Sequence, residues 1–232
     1  MELKGKIVAV TGAFGSLGMA VVQAALAAGA RVAALDRAPA PAKADAFATA
    51  SLYGGIDLAD PVAAKTAIDK VAADFGGIDA LVNIAGSFRW ETLAGGTLET
   101  WDFLYQVNVR TAVSASRAAL PYLVGNSGGG RIVNIGAAGA IKAAAGMGAY
   151  AASKAGVAKL TEALAEELKD QGVTVNALLP SIIDTAPNRA DMPDADYSRW
   201  VQPAQLADII SFLLSDRAQA ITGALIPVVG RV

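Results

Sequence analysis

The sequence contains no cysteine and no histidine in 232 residues. Imidazole acid/base catalysis, thiolate nucleophiles and ordinary zinc sites are thereby excluded, because each depends on one of those side chains. No metal is expected. A disulfide framework is excluded too, and a chain without thiols suits a cytoplasmic setting. Aromatic residues make up only 6%, so the core must be built from small aliphatic side chains, and alanine is abundant. No basic block is present and the net charge is −2, which argues against nucleic acid and anionic membranes as partners. One uncharged run, 7–30, is long enough to span a bilayer. Its middle reads Thr11-Gly12-Ala13-Phe14-Gly15-Ser16-Leu17-Gly18, which would break a membrane helix. The run parses as strand, tight turn and buried helix. The opening Met1 to Lys6 leads straight into that strand, so no signal peptide is expected.

What the chain does have is alternation. Short apolar runs at 6–11, 31–36, 51–56, 80–83, 131–135, 173–178 and 224–229 read as strands. Helical patterns fall at 16–28, 60–75, 98–123, 149–171 and 203–214, and 37–50 reads as loop plus a short helix. Strands that alternate with helices predict one α/β domain over 1–232. Its doubly wound parallel sheet of about seven strands carries helices on both faces. The irregular stretch 181–200, with Pro187 and Pro193, reads as a lid over a site.

Two clusters carry chemistry. Glycines at 12, 15 and 18 lie between the first strand and the first helix. Such glycines allow a tight turn, close approach of a pyrophosphate and close helix–strand packing, with the phosphates on the helix N-terminus. Asp36 ends the second strand, where an acid accepts hydrogen bonds from an adenosine ribose and repels a 2′-phosphate. NAD(H) is therefore favoured over NADP(H), although the adjacent Arg37 is of a type that pairs with a 2′-phosphate, and a plain strand-end cap is the other reading of Asp36. Far downstream, Tyr150 and Lys154 are spaced i, i+4, which puts them on one helix face. An ammonium beside a phenol favours the phenolate, so the lysine is expected to lower the tyrosine's pKa and ready it for proton transfer. The bland alternatives are a buried tyrosine with a satisfied hydroxyl and an exposed helix lysine.

Taken together these residues resemble the single-domain short-chain dehydrogenase/reductase family, a Rossmann-fold group, from about Lys6 to Gly230. The resemblance implies roles for further residues. The stretch Gly12, Phe14, Gly15, Ser16, Leu17, Gly18 is similar to the glycine motif, and Asp57-Leu58 to the pair beside the adenine ring. Asn83-Ile84-Ala85-Gly86 resembles the Asn-Asn-Ala-Gly segment, which implies that Asn83, Ala85 and Gly86 meet the cofactor. Asn108 falls where the family's helix asparagine helps hold a proton-relay water. Pro180 to Thr185 is similar to the segment that fixes the nicotinamide, which implicates Pro180, Ile183 and Thr185. Tyr150 would be the acid/base, and Lys154 would hold the nicotinamide ribose. The family likeness also implies a homodimer or homotetramer acting on a small molecule.

The chain departs from the family pattern in four places. Ser16 and Ser181 replace glycines, and the tail Val228-Val229-Gly230-Arg231 differs. Most important, Ala137 stands 13 residues before Tyr150, where the family's catalytic serine belongs. A narrower resemblance, in the glycine turn, in 146–150, in the lid and in 223–229, is to the dihydropteridine reductases, which share that loss and reduce a quinonoid dihydropterin. Trp90 and Trp200 are then candidates to stack on a flat substrate near Ala137. The alternative class is a dinucleotide-binding sensor or scaffold with little turnover, kept open by Ala137.

Overall fold

The computed structural model describes residues 2–42, 47 and 49–232. Among these described residues seven strands are present: β1 (Ile7–Thr11), β2 (Arg31–Leu35), β3 (Ser51–Tyr53), β4 (Ala80–Asn83), β5 (Arg131–Ile135), β6 (Thr174–Pro180) and β7 (Leu225–Val228). They form a single sheet in the order β3-β2-β1-β4-β5-β6-β7, and every pairing is parallel. The helices are α1 (Ser16–Ala27), α2 (Pro61–Phe75), α3 (Leu98–Tyr105), α4 (Thr111–Leu123), α5 (Gly148–Leu168), α6 (Ala186–Asp191) and α7 (Pro203–Leu214). The expected doubly wound single-domain architecture is what forms. The order reverses between β1 and β4, and such a switch point opens a crevice at the carboxyl ends of the strands.

Strand periodicity explains the two cores. Successive side chains point to opposite faces of a strand. Val8, Val10, Val32, Ala34, Ala80 and Val82 meet α1 and α7 on one face. Ala9, Ala33, Leu35, Leu81 and Ile132 meet α2, α4 and α5 on the other. Both faces are covered, so the strands read as continuous apolar runs. The small side chains of α1 fit this plan by letting it pack closely against α7, its neighbour on that face.

The structure differs from the sequence reading in detail. The strand expected at 51–56 stops at Tyr53. The continuous helix expected over 98–123 is three pieces, because a π-helical turn (Gln106–Arg110) separates α3 from α4. The stretch 181–200 is not wholly irregular: Thr185 caps α6 through its side chain, and Pro187 sits in the first turn, where a missing N–H costs nothing. The short helix expected within 37–50 falls mostly on residues outside those described. Among the described residues no helix is long and apolar enough to cross a membrane.

Candidate active site

A cleft of about 620 Å³ lies beyond the carboxyl ends of β1 to β4. The glycine turn forms one wall, and the three glycines there have different reasons. Gly12 has φ +63°, and a Cβ on it would lie 2.7 Å from the Ala85 nitrogen. At Gly18 a Cβ would lie 2.2 Å from the Gly12 carbonyl oxygen, so close packing of α1 on the turn requires glycine. Gly15 is unlike both. Its φ is −77°, and a Cβ would meet nothing nearer than the Gly12 oxygen at 3.6 Å. Protein packing does not demand a glycine at 15; close approach of a ligand backbone would. Gly15 also sits at the start of α1, which has no side-chain cap and no acid in its first turn. Its first amides are therefore available to an anion. These features fit a dinucleotide pyrophosphate.

Thr11 ties the turn to the next loop: its Oγ1 accepts from the Ile84 and Ala85 amides at 3.1 and 3.2 Å. Asp36 is held in the wall by two contacts, Oδ2 accepting from Phe14 N–H and Oδ1 from Ala38 N–H, both at 2.9 Å. Phe14 packs edge-on against Phe47 with ring centres 5.4 Å apart. Ser16, Leu17, Arg37, Asp57, Leu58, Ala85, Gly86 and Thr185 also line the cleft.

Gly86 joins this cleft to the second cluster. A Cβ there would lie 2.6 Å from Asn108 Oδ1 and 3.3 Å from Lys154 Nζ. Lys154 is buried, and its ammonium donates to the Ile135 carbonyl at 2.8 Å. Asn108, on the π-helical turn, is also buried. Its Oδ1 accepts from Ser87 N–H at 2.8 Å, while its Nδ2 donates to Ser87 O at 3.0 Å and to Ser153 Oγ at 2.9 Å. The Ser153 hydroxyl in turn donates to the Tyr150 carbonyl at 2.7 Å. The asparagine thus locks the loop after β4 to the first turn of α5. A π turn is the local device that aims it there.

Burial pushes the Tyr150 phenol up to about 12 and the Lys154 ammonium down to about 8. The expected lowering of the tyrosine's pKa by its neighbour is therefore corrected: desolvation governs the phenol, which is firmly protonated at neutral pH. The lysine remains largely cationic there. Ala137 is buried at the head of a short 3-10 turn (Ala138–Ala140) and offers no hydroxyl.

Several expected site residues lie elsewhere. Asn83 shares the strand face of Leu81, which looks toward α4 and α5, so its amide joins a buried network away from the cleft. It donates to Ser116 Oγ at 3.0 Å and to Asn134 Oδ1 at 2.9 Å. Pro180 is buried at the end of β6, and Ile183 bridges to Val201. Neither lines the cleft. Trp200 is buried and packs on Tyr197, with ring centres 4.8 Å apart. Trp90 is exposed, with its indole against Ala145 and Gly146. Phe88, which the sequence reading passed over, meets the Tyr150 ring edge-on at 4.9 Å. Phe103, Gln106 and Val107 also line the cleft unforeseen. Their place within the five residues before Asn108 was the available signal. Among the described residues no group of carboxylates that could hold a metal ion is found.

The short chain dehydrogenase family profile matches residues 6–196. The chain is 32% identical over 240 residues to the 3-oxoacyl-[acyl-carrier-protein] reductase FabG of Escherichia coli K12, covering 99% of this chain and 98% of that one. It is 34% identical over 237 residues to the D-threitol dehydrogenase of Mycolicibacterium smegmatis, covering 96% and 91%. Among solved structures it resembles a short chain dehydrogenase from Burkholderia cenocepacia J2315 in complex with NADP. That match has a TM-score of 0.88 and 35% identity, over 99% of this chain and 98% of that one.

Proposed function

The chain belongs to the short-chain dehydrogenase family, and from that premise we propose that it reduces a small carbonyl or quinonoid acceptor with a nicotinamide dinucleotide, Tyr150 supplying the proton. The observation that supports this reading is the buried ammonium of Lys154, one helical turn from Tyr150 and close behind Gly86, at the wall of a cleft whose Gly15 admits a close ligand. When bound, the dinucleotide supplies the hydride. Gly12, Gly15, Gly18 and the first amides of α1 would hold its phosphates. Asp36, Asp57 and Leu58 would line its adenosine end, with Asn83, Pro180 and Ile183 acting from behind the wall. Ala85, Gly86 and Thr185 would flank the reactive end.

Tyr150 gives its phenolic proton to the reduced acceptor and is left as phenolate. The Lys154 ammonium, fixed by the Ile135 carbonyl, would hold the nicotinamide ribose. Asn108 has its amide committed to Ser87 and Ser153, so its part is to keep Tyr150 in place. The negative charge of Asp36 at the cleft wall favours NADH over NADPH, with Arg37 as the local opponent. Exposed apolar groups on the π turn's flanks, Tyr105 and Val113, support a homodimer or homotetramer.

Ala137 bears on the substrate. Without a hydroxyl there, an alkoxide forming from a simple ketone lacks a donor worth about 2.7–4 kcal/mol in comparable sites. A quinonoid ring spreads the charge itself, and Phe88 beside Tyr150 offers a flat apolar wall. A quinonoid dihydropterin is therefore the first substrate to test, with small ketones and aldehydes next. The same alanine favours the second reading, a dinucleotide sensor. Absorbance assays of NADH and NADPH loss with a dihydropterin and a carbonyl panel, on wild type and Tyr150→Phe, decide between them. Rapid oxidation abolished in the variant supports the reductase; tight NADH binding without turnover on any acceptor supports the sensor.

A further inference from the structure

Tyr150 lies in the first turn of α5, and that turn has no side-chain cap. It is held from outside. The Trp90 indole N–H donates to the Ala145 carbonyl at 3.0 Å, and the next residue, Glu91, donates its amide to the Gly146 carbonyl at 2.8 Å. The indole lies close against Gly146: that residue has φ +74°, and a Cβ on it would fall 2.1 Å from Trp90 Cε2. The segment continues into the helix, since the Ala151 amide donates to the Met147 carbonyl at 2.7 Å. Two residues before Trp90, Phe88 meets the Tyr150 ring at an interplanar angle of 85°. The loop after β4 and the loop before α5 are thus seamed together along 88–91 and 145–147.

We propose that Trp90 is a positioning residue for Tyr150: it seats the segment 145–147 through its indole N–H and its fit over Gly146, and so fixes where the phenol stands. Its role is this contact rather than stacking on the substrate, although the residue stays 62% exposed. The inference about rate rests on the reading of Tyr150 as proton donor; the inference about the seam does not.

Two readouts test it on the full chain, using wild type, Trp90→Phe, Gly146→Ala and the double variant. Trp90→Phe keeps a ring but loses the donor. Amide hydrogen exchange at Glu91 and in the first turn of α5 should quicken by about tenfold or more in Trp90→Phe, with β5 and β6 unchanged. Unaltered exchange at Glu91 and Ala151 would overturn the seam. In kinetics, with sites counted by NADH-binding stoichiometry, kcat per site should fall by roughly tenfold while the acceptor KM moves less than about twofold. A raised KM with kcat retained would mark Trp90 as a stacking residue and overturn the proposal. The double variant should be no slower than the worse single one, because both break the same seam; additive losses would also overturn it. A wild-type protein inert toward every acceptor would refute the proposed reductase activity, and the exchange result would then decide the seam alone.

Discussion

Replacing Gly15 and Gly18 separately by alanine divides the fold's demands from the ligand's. At Gly18 the added methyl would lie 2.2 Å from the Gly12 oxygen and 2.6 Å from the Ala13 Cα, both backbone atoms that have no room to turn aside. Overpacking of this kind costs about 3 kcal/mol at the upper end of its usual range. A chain of 232 residues loses about 2 °C in Tm per kcal/mol, so Gly18→Ala should melt about 6 °C early. At Gly15 the methyl meets only the Gly12 oxygen at an ordinary 3.6 Å. The main cost is a poorer N-cap residue, about 1 kcal/mol or about 2 °C. Yet the same methyl would stand where a pyrophosphate must approach, so NADH affinity should fall at least about tenfold, or about 1.4 kcal/mol. Thermal melts and fluorescence titration with NADH on the three proteins measure both quantities. A Gly15→Ala protein that binds NADH as tightly as wild type would refute the argument, because the glycine would then have neither a packing nor a ligand reason.

Ala137→Ser should quicken reduction of simple ketones by about tenfold or more by restoring an oxyanion donor, and leave dihydropterin reduction nearly unchanged; steady-state rates on both substrates check it. Lys154→Met tests the linkage of burial to pH. The native lysine's pKa is depressed to about 8 against an unfolded value of 10.5, so the unfolded chain binds more protons between those values. Wild-type stability should therefore gain, relative to Lys154→Met, as pH rises from about 8 to about 10.5, as urea unfolding at the two ends of that window would show. Asp184, held well below the usual carboxylate range at about 2 by Arg189 and Gln202, anchors α6 beside Thr185. Asp184→Asn should hasten proteolysis within 185–200 and weaken NADH binding by about threefold, with the sheet's thermal transition little moved.

Much of this was legible in the residues because it was local or repetitive. Seven apolar runs separated by helical patterns forced the parallel sheet, and the Gly12–Gly18 turn sat where the switch point came to lie. Lys154 stood out by its i, i+4 spacing from Tyr150 and Asn108 by its match to the family's helix asparagine, and both are buried against Gly86. What escaped was set by direction and depth. Whether Asn83 looks into the cleft depends on strand parity relative to the finished sheet, not on its neighbours in sequence. A π turn adds one residue to a helix without disturbing composition, so 98–123 reads as unbroken. Trp200 and Trp90 look alike in sequence, yet one is interior and the other is docked on a loop. The phenol's raised pKa required knowing how much protein encloses it, which no spacing reveals.

Strand β5 grips α5 at two consecutive residues from opposite sides of the bargain. Asn134 reaches out to Thr161 Oγ1 at 2.9 Å, while Lys154 reaches back to the carbonyl of Ile135. Two such rivets, seven residues apart along the helix, forbid it to slide or roll without breaking both. A reshaped outer flap would thus leave the seat of α5 on the sheet unaltered.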